Sequence, residues 1–109
     1  VGHLADSGLN TLGRVVRAAG SGESAFVSWE QDDWMALQGW TEARWEDVLD
    51  LFEGLNRQLA RVLDRLPAEA WSRRLTVGDN APVTLEAQMA GHVRHLRHHL
   101  AQVGALPGE

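Results

Sequence analysis

Four of the five histidines fall within ten residues, in GHVRHLRHHL at 91–100, and the fifth, His3, lies beside the N-terminus. Imidazole is the commonest side-chain ligand of divalent metals and the group that titrates nearest neutrality, so spacing decides what these residues could do. His95 and His99 are four apart, which on a helix lets both rings face one ion, the geometry by which H-E-x-x-H supports zinc. His92, three before His95, is an alternative ligand or a group standing behind the ligands. Taken alone, the pair fits half of a metal site or a polar helix edge that is merely solvated. A third ligand is needed, and with no cysteine in the chain it must be histidine or carboxylate. His3 has Asp6 and Ser7 one turn on. It either completes a three-histidine face with positions left open for water or substrate, or is a mobile chain-end residue.

Helices must position these groups. In residues 3–19, Leu4, Thr11, Leu12, Val15, Val16 and Ala19 share a broad face, with His3, Asp6, Ser7, Asn10 and Arg14 on another, which predicts an amphipathic helix. Gly20 and Gly22 end it. Residues 23–40 show no sustained period and are expected to form an ordered connection with a helical turn at 32–37. From Thr41, taken as N-cap, a seam of Trp45, Val48, Phe52, Leu55, Leu59, Val62 and Leu66 predicts a long helix stopped by Pro67. Residues 67–82 connect, with 75–77 briefly extended and a turn at Gly78-Asp79-Asn80. Thr84 opens the last helix, which runs to about Val103 before Gly104 and Pro107. Its seam is Leu85, Met89, Val93, Leu96, Leu100 and Val103. Gln88, His92, His95, His99 and Gln102 border that seam, and His98 with Arg94 and Arg97 points to solvent.

The chain of 109 residues is expected to be a single domain, 1–109, with one core. A formal charge of −5, with ten arginines scattered among fifteen carboxylates and no lysine, argues against nucleic acid as partner. No apolar run is long enough to span a membrane. Absence of cysteine fits a reducing, cytoplasmic location. The chain opens on Val1 rather than Met, so upstream sequence is expected.

HLADS at 3–7, DDWMAL at 32–37, LPAEAW at 66–71 and H-x-x-H-H-L-x-Q-V at 95–103, in that order, resemble the DinB/YfiT-like superfamily. The resemblance implies an all-α, up-up-down-down four-helix bundle, here lacking its first helix, with a divalent metal held by His3, His95 and His99. Asp6, His92 and Gln102 become candidates to orient those ligands from behind. Zinc or nickel is expected, with iron or manganese also accepted by such a ligand set. The resemblance further implies a metal-dependent thiol S-transferase or hydrolase acting on a small molecule, with a low-molecular-weight thiol as possible cofactor. The catalytic base is not assigned. A missing first helix would expose an apolar groove, which predicts a homodimer formed by isologous packing or helix exchange, or a longer natural protein. The competing function is a non-catalytic dimerisation or stress-response module with a degenerate metal site.

The remaining signals are read structurally. The five tryptophans are expected to staple connections onto the core, with Trp34 at the mouth of a site as the alternative. Asp32-Asp33 reads as a helix start and Arg73-Arg74 as a surface pair.

Overall fold

The structure, a computed structural model, describes residues 1–102, the side chain of Gln102 excepted. Helix α1 (Gly2–Gly20) buries Leu4, Gly8, Thr11, Val15 and Ala18 along one stripe, at the three- and four-residue steps of an amphipathic helix. Helix α3 (Trp45–Arg65) lays Val48, Leu55 and Leu59 toward it, and the two approach closely where a methyl group on Gly8 would stand 3.6 Å from Leu55 Cβ.

Between them the patternless segment is more structured than expected. It holds a two-residue strand, β1 (Ala25–Phe26), and a helix, α2 (Gln31–Gln38), which ends at Gly39 in the left-handed region with φ 65°. The turn this permits carries Trp40–Glu42 into a single 3₁₀ turn. Thr41 therefore does not cap α3: the cap position is Arg44 and the helix begins at Trp45. Starting that late leaves Trp45 on an open first turn, 60% exposed, rather than in the core seam.

The core gathers Val15, Ala18, Leu59, Leu75, Leu85 and Met89, flanked by Phe26, Val62, Leu66 and Trp71. Leu75 and Leu85 are almost fully buried, and each such side chain contributes about 1.5–3 kcal/mol of burial. Leu75 belongs to β2 (Arg74–Val77), the extended stretch anticipated at 75–77. β2 pairs parallel with β1 (Ala25 opposite Thr76) and antiparallel with β3 (Val83–Thr84; Leu75 opposite Val83). Thr84 also behaves as the expected cap of α4 (Leu85–Gln102), its Oγ1 accepting from Ala87 N–H at 3.1 Å.

This small sheet sets the register of the histidines. β1 follows the C-terminal end of α1 and β3 leads into the start of α4, so the sheet ties the end of one helix to the beginning of the other. Arg73 strengthens the joint. Its guanidinium donates to the carbonyls of Ala18 and Ala19 in the last turn of α1, so it is a half-buried helix cap and not half of a surface pair. From that joint, His3 lies about 22 Å back along α1 and His99 about 21 Å forward along α4, at 1.5 Å per residue. Equal arms bring the N-terminal end of one to the C-terminal end of the other.

The seam of α4 is covered unevenly. Leu85 and Met89 are buried, Leu96 and Leu100 half-buried, and Val93 is 47% exposed, against the expectation that it lies in the core. The cause is that α3 lies chiefly on α1, while α4 meets β3, the 3₁₀ turn at Ala68–Ser72 and α1. Val103, Gly104 and Pro107 lie outside the described residues.

Candidate metal centre

His3 sits in the first turn of α1, and His95 and His99 occupy successive turns near the end of α4. Their three Nε2 or Nδ1 donors lie within 4.8 Å of one another. His95 Nε2 is 3.0 Å from His99 Nε2 and 3.4 Å from His3 Nε2. Around a tetrahedral zinc with Zn–N of about 2.0–2.1 Å, neighbouring nitrogens stand about 3.3–3.4 Å apart. The His3–His95 spacing matches, and the His95–His99 spacing is short by a few tenths of an ångström.

Burial and mutual repulsion disfavour the charged form of two of these rings. Burial lowers the pKa of His95, and charge on His99, His3 or His98 lowers it further. Burial likewise lowers His3, assisted by His99 and opposed in part by Asp6. Two ring nitrogens at 3.0 Å are held together by one shared hydrogen or by a cation that accepts both lone pairs, whereas protonating both sets like charges in contact. The donor set therefore suits a divalent cation and leaves coordination positions open beyond its three ligands.

The groups expected behind the ligands are placed differently. Asp6 is fully buried, but its oxygens accept from Gln38 Nε2 and Trp40 Nε1, each at 3.0 Å, so the carboxylate fastens α2 and the following turn to α1. His3 Nδ1 is buried with no partner among the described residues. His92 stands one turn before His95, its Nδ1 3.2 Å from Thr11 Oγ1 and its Nε2 buried without a partner among the described residues. Gln102 closes α4, and its side chain lies outside the described residues. His98 is exposed, as expected, with its ring 5.6 Å from that of His99.

Trp29 was not among the expected site residues. Its ring lies 5.6 Å from His3 on one side and 5.6 Å from Trp34 on the other, so a short aromatic chain walls the cluster. Nothing in the sequence around 29 marks it, because an isolated tryptophan in an aperiodic connection reads as packing.

No helix is long and apolar enough to cross a membrane among the described residues. No solved structure matches the chain. A curated protein of Oceanobacillus iheyensis, named "Putative metal-dependent hydrolase", is 27% identical over 103 residues. That match covers 94% of this chain and 59% of the relative, so the chain spans about three fifths of the relative's length. A family match covers residues 1–103 and takes in both arms of the histidine cluster: this chain belongs to the DinB superfamily.

Proposed function

We propose that the chain carries the metal centre of a metal-dependent enzyme that acts on a small molecule, with water or a low-molecular-weight thiol as nucleophile. The observation that carries the reading is the convergence of His3, His95 and His99 from two helices whose other ends are tied by the sheet. The name of the Oceanobacillus relative points the same way. A divalent cation bound there supplies Lewis acidity and lets a nucleophile lose its proton near neutral pH. The chain's own contribution is positional. His95 and His99 hold their rings on one helix face, His3 closes the third side, and the Trp29 ring packs beside that of His3. With no cysteine in the chain, a thiol nucleophile comes from a cofactor. Zinc and nickel suit the three-imidazole set first, then iron and manganese.

The test is a panel of reactions on protein loaded with each metal. Glutathione and cysteine are offered with a chromogenic aryl chloride, and nitrophenyl esters are offered with water alone. Turnover that vanishes with chelator and in His95→Ala supports the reading. Equal rates in loaded, chelated and variant protein refute it.

A second reading draws on a different observation. An apolar trough of about 470 Å³ between α3 and α4, lined by Phe52, Ala60, Leu96 and Leu100, favours a homodimerisation module. Sedimentation of the parent beside Leu96→Glu decides it: a dimer lost in the variant supports that reading, and a parent that stays monomeric at high concentration excludes it.

A further inference from the structure

Arg14 lies one turn beyond Thr11 on α1, half-buried, in a chain whose acidic residues outnumber its basic ones. Among the described residues the ion pairs join Arg44 with Glu46 and Arg57 with Glu53, and no carboxylate or carbonyl engages Arg14. Burial pushes its guanidinium below the usual arginine range, yet it stays charged at neutral pH. A partly desolvated cation without a counter-ion is unfavourable unless an anion arrives from outside.

Two cavities border it. The larger, of about 500 Å³, also holds Arg17, Trp34 and Glu23, so a carboxylate is already present on its wall. The smaller, of about 240 Å³ between α1 and α4, has no acidic residue in its lining and is edged by Ser7, Thr11, Gln88, His92 and His95. His95 belongs to the histidine cluster, and His92 lines the same wall, its Nε2 buried without a partner among the described residues. This cavity therefore joins an uncompensated cation, the side chain of His92 and the edge of the proposed reaction centre.

We propose that Arg14, with His92 beside it, seats the carboxylate of a small carboxylate-bearing reactant whose other end reaches the histidine cluster. The planar guanidinium fork matches a carboxylate in two parallel hydrogen bonds. One arginine in an acidic chain suits a monoanion better than a phosphate dianion. The volume lies below the roughly 300–1,000 Å³ of pockets for drug-sized ligands, which limits the reactant to a small metabolite. The assignment of the reacting end rests on the proposed function, whereas the carboxylate seat stands on Arg14 and the cavity alone. The carboxylate could belong to the thiol or to the molecule it attacks, and the two sources are separable.

The experiment measures binding to zinc-loaded parent, Arg14→Gln and Arg14→Lys by calorimetry. The thiol pair is 3-mercaptopropionate and 2-mercaptoethanol; the electrophile pair is monomethyl and dimethyl succinate. In one pair or both, the parent prefers the carboxylate-bearing member by about tenfold or more. Arg14→Gln removes that preference, Arg14→Lys keeps part of it, and zinc stoichiometry is unchanged in both variants. No preference in the parent, or one that survives in Arg14→Gln, overturns the assignment. If zinc does not load, the metal reading has failed by itself, and the seat is then decided on metal-free protein with propionate. A shift of the Arg14 Nε–H resonance, with no response of the other arginines in Arg14→Gln, supports it, and an unmoved resonance overturns it.

Discussion

Replacing Asp6 separates a structural carboxylate from one that serves a metal ligand. Its two oxygens each accept one hydrogen bond at 3.0 Å, from Gln38 and from Trp40, and the residue is fully buried. A hydrogen bond to a charged group contributes about 1.5–3 kcal/mol. Gln38 is exposed and regains water when its partner is removed, while the half-buried indole of Trp40 does so poorly. Asp6→Ala is therefore expected to cost about 2–4 kcal/mol, a fall in Tm of roughly 10–25 °C for a domain of this size. Asp6→Asn costs less, because one of its two terminal atoms still accepts while the other, now a donor, faces a donor. Scanning calorimetry of Asp6→Ala, Trp40→Phe and the double variant reads the coupling directly. Zinc affinity measured well below the transition should change by less than tenfold, because Asp6 bonds to neither ring. An Asp6→Ala protein that melts within about 3 °C of the parent, or that keeps its Tm and loses zinc, would refute the placement.

Three further outcomes follow from the same geometry. His3, His92 and His95 have folded-state pKa values below the ordinary 6.5, chiefly through burial. The unfolded chain then binds more protons in that window, so the stability of chelated protein is full above about pH 6.5 and falls as pH drops below it. Melting curves from pH 8 to pH 5 should show a shallower fall in His92→Gln than in the parent. Arg73→Ala uncaps the end of α1 at Ala18 and Ala19 and is expected to cost about 1–2 kcal/mol by urea titration, with Arg74→Ala near neutral as the control. Trp29 lies against His3, so cobalt added to the protein should quench tryptophan emission, and Trp29→Phe should remove most of that quench, which a fluorescence titration reads.

Much of the site is legible in the sequence because it is carried by helical spacing. The four-residue interval of His95 and His99 fixes their common face, and the periods of α1 and α4 fix the elements that bear them. What brings His3 to them is carried by pairing across long separations: Ala25 opposite Thr76, and Arg73 on the carbonyls of Ala18 and Ala19. Two-residue strands have no period to detect, so β1 and β3 leave no signature. Asp6 shows the opposite failure. Its place one turn after His3 points toward the imidazole, yet Gln38 and Trp40 claim both oxygens from more than thirty residues away. Val93 and Trp45 fit their seams by period but stand exposed, because periodicity says which face is apolar and not how much of it a neighbour covers.

The most direct test of the central claim is metal stoichiometry by elemental mass spectrometry after reconstitution with zinc and removal of free ion. It is run on the parent and on His3→Ala, His95→Ala, His99→Ala and, as control, His98→Ala. About one zinc per chain in the parent and in His98→Ala, lost from the other three, is the predicted result. A parent that retains no zinc, or any of the three variants holding zinc as tightly as the parent does, would contradict it.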